Sequence, residues 1–244
     1  MDNHEYLSSL HDISKFSRDE LRDVMNNNGI SLSEASFKVK LNELLNLELI
    51  SRVGRNAYCV PKSGVYKYQY EYSALAETIV VEIQENHPIM DFTVLETIQL
   101  NEFTNHQLAH NVVFVSIEGD LSDYAFNTLK EIYPGKVLIN PKIDVFHKYW
   151  YDDMIVVGKL VTESPRDQKS QWATVLEKLL VDIIADPLLS YSVSESEYTN
   201  IYAEAFSKYA INESRLFRYA RRRGIEKVIL QLIRYSTDIQ LRTR

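Results

Sequence analysis

The sequence predicts an α+β protein in three parts: an N-terminal winged helix-turn-helix over 1–63, an α/β domain with a mixed sheet over 64–163, and a C-terminal helical bundle over 164–244 packed on it. Three observations carry that expectation. Two capping signals stand close together near the start, Ser17-Arg18-Asp19-Glu20 and Ser31-Leu32-Ser33-Glu34. Through the middle, β-branched runs alternate with helical segments. From Ser164-Pro165 onward, apolar residues recur only at helical spacing.

The elements follow in order. A helix is expected over about 4–12. At Ser17 the hydroxyl can accept from the Glu20 amide while the Glu20 carboxylate reaches back, which starts a helix over 17–27 with Phe16 and Leu21 as its staple. Asn26-Asn27-Asn28-Gly29 tolerates left-handed backbone and stops it. The Ser31 box opens a third helix over 32–46. Leu49–Val53 and Ala57–Val60 are short β-prone runs around Gly54-Arg55-Asn56, a hairpin. Pro61-Lys62-Ser63-Gly64 reads as a linker. Thr78–Ile83 and Asn111–Ile117 are expected strands, and Asp120 caps a helix over about 121–133. Lys136–Ile139 is a strand ended by Asn140-Pro141, which opens a short helix to Tyr149; Met154–Gly158 is the last strand. In the tail, Trp172, Val175, Leu176, Leu179, Leu180, Ile183 and Ile184 trace one apolar stripe. Ser194–Glu197 forms a third capping box, Asn212 caps another helix, and Ile225, Val228, Ile229, Leu232 and Ile233 stripe the last.

Composition bounds the function. At 244 residues, 45% hydrophobic and 25% charged, with 7 glycines, the chain is neither collagen-like nor disordered. No apolar run reaches the ~18–20 residues of a membrane span and the N-terminus lacks a signal-peptide core, so a cytoplasmic protein with no membrane partner is expected. The single cysteine, Cys59, has no internal disulfide partner and is expected to be a small buried hydrophobe. The net charge of −7 hides an asymmetry. Residues 205–244 hold ten Lys/Arg against three acids, a local +7 on an acidic body. Such a tail suits a polyanion or an acidic partner.

The helix over 32–46 is the candidate DNA reader. Phe37, Leu41, Leu44 and Leu45 are expected inward, with Ser33, Ser36, Lys40 and Glu43 opposite and Lys38 and Asn42 flanking. Ser, Lys and Asn donate to phosphates or base edges, and Arg52 and Arg55 of the hairpin would reach the neighbouring backbone. Residues 1–61 carry seven basic and nine acidic side chains, so long-range attraction to DNA is weak. A three-helix interaction module is the alternative. A second candidate is Arg215, Arg218, Arg221, Arg222 and Arg223: Arg215, Arg218 and Arg222 share a helical face fit for phosphates or carboxylates, unless the acidic body pairs them internally. That face would serve a protein-interaction scaffold.

Catalytic chemistry finds little support. Glu102, His106 and His110 lie at i, i+4, i+8, but the polar residues around them favour a loop and no HExxH is present, so no metal is expected. A restriction-like Mg²⁺ nuclease could draw on Glu82, Asp91 and Glu96, yet the Glu-x-Lys that such a site wants is missing. No Walker A loop, GxGxxG or GxSxG occurs, and neither catalytic residues nor a cofactor are expected.

Short motifs add a family likeness. They are Leu100-Asn101-Glu102-Phe103 before Phe114-Val115-Ser116-Ile117-Glu118, then Leu138-Ile139-Asn140-Pro141, Leu179-Leu180-Val181-Asp182, and Leu216-Phe217-Arg218-Tyr219-Ala220-Arg221-Arg222-Arg223. With the order of parts, they make the chain resemble the AbiE-type (type IV toxin–antitoxin) abortive-infection antitoxins. The resemblance implies a non-enzymatic transcription regulator that binds operator DNA through the winged helix, represses its own operon and counteracts a nucleotidyltransferase toxin encoded nearby. The toxin itself would need Gly-Ser followed by Asp-x-Asp, which Gly119-Asp120-Leu121-Ser122-Asp123 does not supply.

Overall fold

The computed structural model describes residues 4–11, 13–61 and 66–243. Lys62, Ser63 and Gly64 of the expected linker therefore lie outside the described residues. Both halves of the Ser17 box form: Glu20 N donates to Ser17 Oγ at 3.2 Å, and Ser17 N donates to Glu20 Oε2 at 2.6 Å. Helix α1 (Arg18–Asn27) starts there. It ends at Gly29, with φ at +78°, where Ile30 N reaches Met25 O and Gly29 N reaches Asn26 O, the paired bonds of a left-handed stop. The segment before it forms only a 3₁₀ turn, Glu5–Leu10, rather than a helix over 4–12.

Helix α2 (Glu34–Asn46) is capped by Ser33, not Ser31. Arg22 Nη2 donates to Leu32 O at 3.1 Å, and Glu34 is drawn into ion pairs with Arg18 and Arg22 of α1. The carboxylate that would complete a Ser31 box is thus engaged elsewhere. Strands β1 (Ser51–Gly54) and β2 (Ala57–Cys59) form the hairpin. Phe16 adds a third rung, exchanging two 2.8 Å backbone bonds with Tyr58. Tyr6, Leu10, Phe16, Leu21, Met25, Phe37, Leu44 and Ile50 close one apolar core among these elements.

Thr78–Ile83 is a helix, not a strand. Ser73 caps α3 (Ala74–Asn86), and its buried residues Ala76, Ile79, Val80 and Ile83 fall at i, i+3, i+4, i+7. β-branching costs a helix only a few tenths of a kcal/mol per residue, which burial of that stripe outweighs. The strand that joins the sheet instead is β3 (Phe92–Glu96), whose five residues are all buried and so show no alternation. With β4 (Val112–Ile117), β5 (Val137–Ile139) and β6 (Met154–Lys159) it makes a mixed sheet of order β3-β4-β6-β5, β3 antiparallel and the rest parallel.

Helices α4 (Ser122–Ile132) and α5 (Ile143–Lys148) connect the parallel strands. Asp120 does not cap α4; its carboxylate accepts from Lys159 Nζ at 3.0 Å. Asn140 takes a left-handed turn, φ +39°, and Lys142 precedes α5. Alternate β4 residues serve two cores. Val113, Val115 and Ile117 pack with α3 and α4, whereas Val112 and Phe114 face the C-terminal helices.

Those helices are α6 (Leu176–Ala185), α7 (Pro187–Ser192), α8 (Tyr198–Lys208), α9 (Glu213–Arg222) and α10 (Glu226–Ser236). Ser194 accepts from Ser196 N and opens a 3₁₀ turn ahead of α8; Asn212 caps α9 by accepting from Arg215 N at 3.0 Å. Trp172 and Val175 precede α6 rather than belong to it. The segment they occupy lies along β3: Val94 N donates to Trp172 O at 2.8 Å, while Val94 O accepts from Thr174 Oγ1 and Tyr72 OH. At the end of β3 the buried Glu96 carboxylate accepts from Ser73 N and Oγ, Tyr70 OH and Asn111 Nδ2, tying the chain before α3 to the sheet. The protein is thus α+β with a mixed sheet. Among the described residues no helix is long and apolar enough to cross a membrane.

Candidate nucleic-acid interface

Helix α2 turns Phe37, Leu41 and Leu44 into the core. Its outward stripe is Ala35, Val39, Asn42 and Asn46, all exposed and spaced i, i+4, i+7, i+11. Val39 is 69% exposed at the middle of it. Lys38 flanks the stripe on one side, Ser36 and Glu43 on the other, and all three are exposed. Composition gave no signal for Ala35, Val39 and Asn46; an apolar residue held out on a polar face could have supplied one.

Two expected readers are placed otherwise. Ser33 is the cap, its Oγ accepting from Ser36 N and lying 2.9 Å from Ser36 Oγ. Lys40 comes three residues after Phe37 and four before Leu44, so it shares the row of the buried residues. It is half-buried and paired with Glu43 at 2.8 Å. The pairing also neutralises the one carboxylate beside the stripe. Arg18 and Arg22 stack over the Phe37 ring at 5.3 and 5.6 Å while holding Glu34, which neutralises the acid at the start of α2. Arg52 lies over the Tyr58 ring, its Nε donating to Gly54 O at 3.3 Å. Arg55 is exposed at the hairpin turn, its backbone N donating to Ser214 Oγ at 3.2 Å. Among the described residues, Lys38, Arg52 and Arg55 form no ion pair with a carboxylate.

The second arginine group has a different fate. Arg215 faces Glu177 at 3.9 Å, Arg221 clasps Glu226 through Nε and Nη2, and Arg222 Nε donates to Thr162 Oγ1 at 2.7 Å. Arg223 lies 3.6 Å from Asp182 and 4.0 Å from Asp186. Asp182 also accepts from Tyr219 OH and from the buried Lys178 Nζ. Arg218 and Arg222 are the two of the five that are exposed without an ion pair among the described residues, Arg222 holding only the Thr162 hydroxyl.

The carboxylates considered for metal do not converge. Glu82 lies on α3, Asp91 pairs with Arg166, and Glu96 is enclosed by its four donors. Glu102 accepts from Tyr209 OH at 2.5 Å, and His106 Nδ1 lies 3.1 Å from Glu197. No group of three metal-ligating side chains occurs among the described residues. Cys59 is buried; burial pushes its thiol above the ordinary range, with Arg242, whose Nη1 sits 3.3 Å from Sγ, opposing. It lines a cavity of about 660 Å³ with Val60, Phe206, Ile211 and Arg242, between the hairpin module and the C-terminal helices. Buried Glu213 anchors the chain there, accepting from Arg242 N, Thr243 N and Thr243 Oγ1.

A family profile matches residues 36–239, from within α2 to beyond α10. The chain belongs to this family of unknown function (DUF6577). The matched DUF6577 span covers most of α2, the hairpin, the sheet and all the C-terminal helices, and leaves α1 outside. No curated protein matches the chain. Among solved structures it is similar to the RV2827C protein from Mycobacterium tuberculosis, at 10% identity over 96% of this chain and 80% of that one, with a TM-score of 0.25. That superposition is too slight to argue from.

Proposed function

We propose that the chain is a sequence-specific DNA-binding regulator whose N-terminal module acts as a winged helix-turn-helix. The 3₁₀ turn, the Phe16 rung, α1, α2 and the β1–β2 hairpin follow in the order of that motif, with α2 as the reading helix and the hairpin as the wing. The observation that carries the reading is the sorting of charge around α2. Glu34 and Glu43 are neutralised inside the module, while Lys38, Arg52 and Arg55 are left for phosphates. In the operon setting suggested by the AbiE-type likeness, the body would counteract a nucleotidyltransferase toxin while the module represses transcription.

The test is a salt-titrated gel shift on the chain's own upstream region, beside scrambled DNA of equal length. Preferential binding is expected, with log K falling against log salt at a slope of about −3 for three phosphate contacts. Equal binding to both DNAs, or none, overturns the reading.

A further inference from the structure

The outward stripe of α2 has a chemistry that names the bases it suits. It contains no arginine, the commonest reader of the guanine N7 and O6 acceptors. Asn42 carries an amide, whose donor–acceptor pair matches the N7 acceptor and N6 donor of adenine. Beside it stand Val39 and Ala35, apolar and exposed, bordered by polar side chains. A valine held 69% exposed in water gains from burial only against another apolar group. In the major groove that group is the thymine C5-methyl. Lys38 flanks the stripe, and the exposed hairpin cations Arg52 and Arg55 are of the type that binds phosphates.

We infer that α2 reads A·T base pairs in the major groove, with Val39 and Ala35 against thymine methyl groups and Asn42 on an adenine edge. This inference rests on the DNA-binding reading above and specifies its ligand. Neutralisation of Glu34 and Glu43 fits it as well, because a free carboxylate beside the stripe would select a cytosine amino group instead.

The experiment uses the full chain and its own upstream duplex, made once with thymidine and once with deoxyuridine, which removes only the C5-methyl. Wild type is expected to bind the uracil duplex about fourfold more weakly for each methyl contacted. Val39→Ala should shrink that ratio. Asn42→Ala should weaken binding to the thymine duplex and lose discrimination against 7-deazaadenine. Arg55→Gln should weaken both duplexes equally. If wild type prefers its own region over scrambled DNA yet binds thymine and uracil duplexes alike, the base assignment is overturned while DNA binding stands. A uracil penalty unchanged in Val39→Ala also overturns it, since the methyl is then sensed through DNA shape. Failure to prefer the upstream region at all removes both.

Discussion

The arginines of α9 and those of the hairpin share a residue type and differ in everything around them. In and just after α9, Arg215, Arg221 and Arg223 meet Glu177, Glu226, Asp182 and Asp186, and Arg222 meets Thr162. Three of those four acids come from α6 and its end, about forty residues away in sequence. Among the described residues Arg52 meets the Gly54 carbonyl and the Tyr58 ring, Arg55 meets the Ser214 hydroxyl through its backbone N, and neither forms an ion pair. The contrast teaches that a basic run describes a surface only after the fold has assigned its partners. Part of the +7 tail is bound to carboxylates, while Arg218, Arg222, Lys227 and Arg234 stay exposed without an ion pair among the described residues. The electrically unremarkable N-terminal module also presents unpaired cations.

Four experiments would break or sharpen that contrast. The largest effect is expected from Asp182→Ala, which strands the buried Lys178 ammonium and takes an acceptor from Tyr219 and Arg223. Urea denaturation should show a loss of about 4 kcal/mol. Adding Lys178→Met to Asp182→Leu should cost clearly less than Asp182→Ala, since no charge is left unpaired there. Next comes Glu213→Ala, which frees the three donors of residues 242–243. A loss of about 2 kcal/mol is expected, with faster hydrogen exchange at the Arg242 and Thr243 amides.

Smaller is Ser17→Ala at the start of α1, about 1 kcal/mol. Glu20 is held below the ordinary carboxylate range by the Ser17 amide first and its hydroxyl second. A depressed carboxyl stabilises the fold above its unfolded pKa, and that contribution is lost as pH falls through the folded value. Stability profiles across the acid range should therefore be only slightly flatter in Ser17→Ala than in wild type, since the substitution removes the hydroxyl and keeps the amide. Smallest for the fold are Arg52→Gln and Arg55→Gln, within about 0.5 kcal/mol. In gel shifts each should nonetheless reduce the salt slope by about 1. An equal effect on the slope from Arg215→Gln would dissolve the contrast.

What the sequence disclosed follows from how local each signal is. The Ser17 box, the Gly29 stop and the Asn212 cap are complete within four residues, and each forms where the sequence places it. The strands β4, β5 and β6 are β-branched and flanked by turns, so they were also legible. Thr78–Ile83 misleads because its β-branched residues also fall on a helical stripe, and only the packing of α3 on the sheet decides between the two. β3 is hidden by burial on both faces. At the candidate site, Lys38, Asn42, Arg52 and Arg55 stand exposed as expected. Lys40 does not, because its ion pair and its half-buried row depend on the exact phase of α2. The acids that hold the α9 arginines could not be matched to them without knowing that α6 lies alongside.

The two borders of the mixed sheet carry a last consequence. On one side Val94 has its amide and carbonyl already bonded to Trp172, Thr174 and Tyr72. On the other, β5 is three residues long, with Pro134 shortly before it and Pro141 shortly after. A foreign strand needs a run of free backbone donors and acceptors to add itself, and neither border offers a long one. Growth of this sheet by edge-to-edge stacking, the first step towards fibrils, is thus disfavoured at both of its margins.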